Sequence, residues 1–557
     1  MEESESKEED SRVTFFSNKR KEVDRNYGRL IRGSEKEGFI LFSQIIDKEN
    51  KEGGIMEKKR LCVLVLMAAV TIALSVSSVM AEPFSLFGRP GNILGNFTQG
   101  GSFSLLDKDK YDVEKGFNSA LMNLLLEGDY AITDDLKFYG SGMLTVDWIY
   151  QLKHNDSSWH DKLFSESTNL NVDDKYWQLL KEAHFTWTPE HFFFRVGKQI
   201  VKWGEMDGFR LMDQINPSDA RRGFQDVEFE TSVIPIWLVR AEYYPKIQTS
   251  WLTDLGFEFV FNPNAKFISN QRGLTGNDAG GIWAPNALAN GPFPFGQAHV
   301  GSMYENIKEP DEWKEGHEFA FRVKGVVYNS IVTLNAFYGR DNNPVLQTKP
   351  VPPKITMASD GRLILHPFVE GSYHYFRFVG ATLSRDITPL KADFLGGVSP
   401  VARLEAFYAF DNTFLNKKNA LFKSDEFRWA IGLDWKVNIP FLNPRTYFAI
   451  SPQFLHQRIM DYPRVEMSSL KKNNYTATCG VSTSYFHNKL APSVFYYRDI
   501  NSKSDYWRLQ LIYDPTQYLR FAFVTMFFHG DNKEDYKLFQ LFDNKDQFYF
   551  KITYKWG

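Results

Sequence analysis

The chain has 557 residues, a formal net charge of −3 and 24% charged side chains, a balance that excludes the strongly basic footprint of a nucleic-acid binder. Aromatic residues make up 16%, with 49 Phe, 26 Tyr and 13 Trp. A soluble enzyme seldom needs so many rings, whereas a lipid-facing wall with two interfacial girdles does. Mean hydropathy is negative, which argues against a bundle of membrane-spanning helices and suits a wall in which every second residue meets water.

Residues 1–55 are charged and mixed, with no sustained apolar period. Met56-Glu57-Lys58-Lys59-Arg60 then forms a positive n-region, Leu61 to Leu74 an apolar run, and Val79-Met80-Ala81 a small-x-small cleavage site. The expectation is a secretory leader over 56–81, cut after Ala81, ahead of a transmembrane barrel over 82–557. A single transmembrane helix is the alternative to the leader. Lys51-Glu52-Gly53-Gly54-Ile55 can be encoded by a purine run of the kind that precedes a start codon. Residues 1–55 therefore read as a mis-assigned, disordered extension, with a genuine cytosolic extension as the other option. Cys62 lies in the leader, so only Cys479 remains and no internal disulfide is expected.

Beyond the leader, segments of about ten residues alternate strictly, the signature of strands with one apolar and one wet face. A first strand is placed around Gly101–Leu106, ahead of Phe117, to keep the total even. A strand runs from Phe192 to about Lys202. Leu255, Phe257, Phe259 and Phe261 oppose Gly256, Glu258 and Asn262, and Phe319, Phe321 and Val323 oppose Glu318, Arg322 and Lys324. Phe427, Trp429, Ile431, Leu433 and Trp435 oppose Glu426, Arg428, Asp434 and Lys436. Trp507, Leu509, Leu511 and Tyr513 oppose Arg508 and Gln510. Last, Phe548, Phe550, Ile552, Tyr554 and Trp556 oppose Gln547, Lys551, Thr553 and Lys555. This terminal strand resembles the signal read by the barrel-assembly machinery.

A soluble β-sandwich could not accept so many unpaired Arg, Lys, Glu and Asp on its inner faces. The expected fold is all-β: a closed antiparallel transmembrane β-barrel of about 16–18 strands, wide enough to leave a channel. Short links near Ala131–Asp135, Thr188–His191, Pro245–Ser250, Tyr328–Ile331, Val437–Arg445, His487–Leu490 and Asp514–Gln517 read as periplasmic turns. Long links between them, near Gln151–Lys175, Trp203–Ser232, Asn262–Glu315, Asp341–Gly361, Asn412–Asp425, Ile459–Asn473 and Gly530–Gln547, read as extracellular loops. The least regular alternation lies between Gly361 and Asn412. Asp499–Asp505 is short where a long loop is due.

The link 203–232 is the third outer loop, and it is dense in both charge signs: Lys198, Lys202, Arg210, Arg221 and Arg222 with Glu205, Asp207, Asp213 and Asp219. Opposed charges of this kind suit a pore constriction that sieves by charge and size. Equally, they can pair among themselves and tie the loop to the wall, and Asn216-Pro217 is a turn sequence in any protein. Lys198 and Lys202 share parity with Phe192, Phe194 and Val196, so either a bulge occurs at Gly197 or these lysines lie above the bilayer.

The run Gly197-Lys198-Gln199, Trp203-Gly204-Glu205, Asp213, Ile215-Asn216-Pro217 and Asp219 resembles the signature of the outer-membrane family of domain of unknown function 1302 (DUF1302). The resemblance would cover nearly the whole of 82–557. It implies movement of hydrophobic or lipid-like molecules across the envelope, with a periplasmic carrier and an inner-membrane resistance-nodulation-division (RND) transporter as partners.

The link 262–315, rich in Gly, Asn, Pro and aromatics, is either an outer lid, a ligand-capturing surface or an ordinary outer loop. No nucleophile elbow, zinc-protease helix, phosphate loop or paired-cysteine site occurs, so no enzyme, metal or cofactor is expected. His184, His191, His366, His374, His456 and His487 are scattered through strands and turns. The residues thus point to a Gram-negative outer-membrane channel, and the resemblance implies hydrophobic or amphipathic solutes for it. A general diffusion porin for small polar solutes and a structural or surface-binding barrel are the alternatives.

Overall fold

In lipid a backbone N–H or C=O without a partner is costly, so alternating strands are stable only when the sheet closes on itself. The computed structural model describes residues 84–105, 116–147, 179–218, 232–263, 288–289, 298–300, 304–310, 315–357, 363–391, 396–416, 418–462, 470–530, 539, 542–543 and 545–556. The expectations for 1–55, the leader 56–81 and cleavage after Ala81 fall outside them.

The described segments form a closed ring of 18 antiparallel strands. β1 is Arg89–Ser104; β2 is Gly116–Ser119 continued by Leu121–Ala131; β3 is Leu136–Asp147; β4 is Leu180–Trp187; β5 is Phe192–Gln199; and β6 is Ile236–Tyr243. Next come β7 (Leu252–Asn262), β8 (Glu318–Val327), β9 (Ser330–Arg340), β10 (Tyr375–Asp386), β11 (Val401–Leu415) and β12 (Leu421–Val437). The ring is completed by β13 (Phe448–Ile459), β14 (Asn473–Ser482), β15 (Leu490–Asp499), β16 (Ser504–Tyr513), β17 (Leu519–His529) and β18 (Gln547–Trp556). Each strand pairs with its neighbours in sequence. β18 closes on β1 in register from Gly95↔Trp556 to Ser104↔Gln547, so no edge is left open.

Alternation sorts the two faces as expected. Phe259, Phe321, Leu334, Val379, Ile431 and Leu509 are exposed on the outer face, while the interleaved Glu258, Glu405 and Glu426 are buried on the inner one. An even strand number puts both ends of the ring on one side. The short links 132–135, 188–191, 328–329 and 514–518 lie on that side, and the long links 200–235, 263–317 and 341–374 on the other.

Four expectations are corrected in detail. The first strand begins at Arg89, well before Gly101, because Gly91, Gly95, Gly100 and Gly101 break the apolar alternation. The strand from Phe192 ends at Gln199, not near Lys202. The outer link expected over Asn412–Asp425 shrinks to 416–420, because β11 and β12 stay paired beyond an irregularity between Ala409 and Asn412. The irregular stretch from Gly361 to Asn412 holds β10, most of β11 and the link 387–400 between them.

The fourth and fifth outer links are joined. Tyr304–Lys308 pairs in parallel with Phe368–Ser372, which also pairs with Val345–Thr348. Ala298–Val300 pairs with Leu363–His366, which pairs with Lys354–Met357. The link 262–315 is thus tied into a small β-structure shared with its neighbour.

Candidate pore constriction

The third outer link turns inward. Its polar residues are spent mainly on giving it a shape. Gln199, fully buried at the end of β5, donates its amide to the Leu238 carbonyl at 3.1 Å. Asn216 knits the neck of the loop: its Oδ1 accepts from Val201 N at 2.8 Å, and its Nδ2 donates to Gln199 O (3.1 Å) and Ile234 O (3.0 Å). Ile234 N donates to Pro217 O at 2.9 Å, and Ser218 bridges to Val233.

Within the loop, Asp213 Oδ1 accepts from the backbone N–H of Trp203 (2.7 Å) and Gly204 (2.8 Å). A Cβ on Gly204 would stand 2.7 Å from the Asp213 carboxylate, so only glycine lets the two strands of the loop approach this closely. Arg210 donates to Asn216 O at 2.6 Å. Burial lowers its pKa below the usual guanidinium value, with Asp213 partly offsetting the effect.

The apolar residues do the packing. Val201, Trp203, Met206, Phe209, Met212 and Ile215 are buried in one cluster with inward-facing residues of the barrel wall. Those include Leu238 of β6, Val260 of β7, Phe337 of β9, Phe378 of β10, Phe407 of β11 and Ala430 of β12. Met212 packs on Gly380 and Met206 on Gly432, where a wall side chain would collide with them. Trp203 also lies under the Arg322 guanidinium, 5.5 Å from its ring centre.

The loop tip docks on the far wall. Met206 N donates to Glu405 Oε1 at 2.9 Å, and Glu205 N donates to the same oxygen. Asp207 N donates to Gln453 Oε1 at 3.2 Å. Arg403 donates to the Glu205 carbonyl, to Asp207 Oδ2 (2.8 Å) and to Asp434 Oδ1 (2.7 Å). Phe209 meets Tyr497 of β15 edge-on at 5.8 Å. A loop rooted at β5 thus reaches β11, β12, β13 and β15, on the opposite arc of the ring.

A second contribution comes from the last outer link. Phe539 packs edge-on against the same Tyr497 at 4.9 Å and stacks on Tyr506 at 5.5 Å. Phe542 lies 5.9 Å from Phe528. Tyr497 therefore joins two apolar clusters into one seam across the interior. The wall of β18 and β1–β3 is different. There Thr553, Thr98, Asn123 and Thr145 are paired side by side on the inner face, with Thr98–Thr553 at 2.9 Å and Thr145 donating to Asn123 at 2.7 Å.

Charges on β6–β8 are paired along the wall: Arg240 with Glu242 (2.7 Å) and Glu258 (2.8 Å), and Arg322 with Glu258 (2.6 Å).

Of the residues singled out in the sequence, Gln199, Trp203, Asp213, Asn216 and Pro217 come together as the frame of the loop, with Arg210. Glu205 and Asp207 form its tip. Pairing runs through Gly197 without a register shift, so no bulge frees Lys198. Gly197 instead adopts a φ of 138°, and Lys198 is buried with its ammonium donating to Leu180 O at 2.6 Å. Lys202 lies beyond the strand end and is exposed. Asp219, Arg221 and Arg222 lie outside the described residues. Phe548, Phe550, Ile552 and Tyr554 lie on one face of β18 with Trp556, which is buried against Gly95. Sequence reading missed Arg403, Glu405, Gln453 and Tyr497 on the wall. It also passed over the apolar spacing of Met206, Phe209, Met212 and Ile215, a signal that was there to be read.

No family model and no curated protein matches the chain. Similar solved structures include a BenF-like porin from Pseudomonas fluorescens, with 9% identity over 84% of this chain and 99% of that one and a TM-score of 0.44. OccAB4 from Acinetobacter baumannii has 9% identity over 84% of this chain and 97% of its own, with a TM-score of 0.43. OccAB3 of the same organism has 10% identity over 84% and 99%, with a TM-score of 0.42. Likeness at this level assigns no residue a role.

Proposed function

We propose that the protein is an outer-membrane channel whose inward loop admits amphipathic or hydrophobic solutes. The observation that carries this reading is the division of the interior. An apolar seam runs from Trp203 through Phe209, Tyr497 and Phe539, and a neutral polar row of Thr553, Thr98, Asn123 and Thr145 lines another arc. Trp203, Phe209 and Phe539 are buried within the seam, so it acts by filling a lumen that would otherwise pass small polar solutes freely, and the amphipathic cargo is what the resemblance of the loop motif adds. The loop motif resembles that of domain of unknown function 1302, and with it comes the reading that a periplasmic carrier and an inner-membrane RND transporter work with the channel. β18 would serve as the strand recognised by the barrel-assembly machinery.

A diffusion porin for small polar solutes is the second reading, favoured by the polar lip of Asp207, Arg403 and Asp434 at the loop tip. Planar-bilayer recording of the purified barrel separates the two. The amphipathic reading expects small, interrupted conductance that changes when a long-chain fatty acid is added, and slow uptake of small sugars by liposomes. Large, steady openings that ignore the fatty acid, with fast sugar uptake, would make it a diffusion porin.

A further inference from the structure

Among the described residues, two cations stand free on the lipid side of the outer rim, at β12 and β13. Directly paired residues share a face of the sheet, and the pairs Phe427↔Arg458 and Arg458↔Asn473 put Arg458 on the outer face. Lys423 has the parity of Phe427 on β12. Both Arg458 and Lys423 are exposed, and among the described residues neither makes an ion pair or a hydrogen bond. Other cations near this rim are engaged: Arg498 with Asp505 at 2.5 Å, Arg377 with Asp411 at 2.8 Å and Arg340 with Glu315 at 3.5 Å.

Just inward of the cations lies a rigid aromatic shelf. Trp429 Nε1 donates to His456 Nδ1 at 2.9 Å, so His456 carries its proton on Nε2, which donates to Asn473 Oδ1 at 3.1 Å. The imidazole stacks on Tyr475 at 4.8 Å. Of the acids nearby, Asp425 is held by the Tyr408 hydroxyl (2.7 Å) and Asp411 N (2.9 Å), while Asp461 is exposed in the adjoining link.

Lys423 is four residues further out along β12 than the Phe427 that faces Arg458, a separation of roughly 13 Å along the strand. One phosphate cannot span that distance. A sugar headgroup phosphorylated at both ends can, with its acyl chains against Trp429, Phe454 and Tyr475. We propose that this rim binds a doubly phosphorylated glycolipid of the outer leaflet, one phosphate at Arg458 and the other at Lys423. The proposal rests on the barrel lying in an outer membrane, not on what passes through it.

Native mass spectrometry of the full, detergent-purified barrel with bisphosphorylated lipid A, its dephosphorylated form and phosphatidylglycerol tests this. The expected result is retention of bisphosphorylated lipid A at least tenfold above either control, falling about tenfold in the Arg458→Gln/Lys423→Gln variant while single-channel conductance is unchanged. Retention indifferent to phosphate number, equal retention of phosphatidylglycerol, or retention unaffected by the double substitution would overturn it. Should that variant fold poorly, Arg458→Lys against Arg458→Gln replaces it: the site requires the lysine form to retain the lipid and the glutamine form to lose it. An altered wild-type response to fatty acid would bear on the transport reading alone.

Discussion

The backbone N–H of Met206 donates to the Glu405 carboxylate at 2.9 Å, joining a loop that leaves the ring at β5 to a wall strand on the opposite arc. Glu405 is fully buried and serves Glu205 and Met206 together. Leaving a buried N–H without its acceptor costs roughly 1–3 kcal/mol. Glu405→Ala should therefore release the loop tip and raise both mean conductance and its fluctuation, with Glu405→Gln intermediate because one acceptor survives. Single-channel recording checks the order of the three proteins.

The shape of the loop depends on Asp213 and Gly204 as a unit. Asp213→Ala leaves two buried N–H groups without an acceptor, and Gly204→Ala drives a methyl group into the carboxylate. Each should loosen the loop by about 2 kcal/mol, and together by clearly less than the sum, because they break the same contact. Limited proteolysis rates at residues 200–218 in folded barrels measure this.

Glu258 sits between Arg240 and Arg322 with its carboxylate wholly buried. Glu258→Ala strands two guanidinium groups on the inner wall, and removal of one partner of a buried pair costs roughly 3–5 kcal/mol. The folded fraction after refolding, read from gel mobility before and after heating, should drop sharply. Glu258→Gln should recover part of it.

At the periplasmic turn, Arg520 Nε and Nη2 donate to the two carboxylate oxygens of Asp514 at 2.8 Å, and this lowers the Asp514 pKa below the usual carboxylate value, with burial opposing. A depressed folded-state pKa stabilises the fold at pH values above the unfolded pKa of about 3.9, and that contribution is lost as pH falls through the folded value. The urea midpoint of the wild type should therefore fall between about pH 5 and about pH 3 by more than that of Asp514→Asn. Equal falls would remove Asp514 from the acid response.

The ring was legible because lipid on one side and water on the other impose a period of two on every wall strand. Phe427 to Trp435 and Phe548 to Trp556 show it without interruption. It failed at Arg89–Ser104, where glycines replace the outward apolar residues, and at Asn412–Asp425, where strands rise above the membrane and no longer need an apolar face. The charged residues of the third loop stood out at once, but charge alone did not tell a frame from a lining. Asp213 and Asn216 turn out to hold backbone, and that depends on which N–H groups the fold leaves without partners. Glu405 and Tyr497 were invisible as a site, since only ring closure brings residues some two and three hundred positions away to the tip of the loop.

Cross-linking Asp207 to Gln453 tests the inward course of the loop most directly. In a Cys479→Ser background, Asp207→Cys/Gln453→Cys treated with a short bis-maleimide should cross-link nearly completely within one chain, and the linked channel should conduct like the wild type. Failure of the folded protein to cross-link, or a sharp fall in conductance on linking, would place the loop away from the far wall.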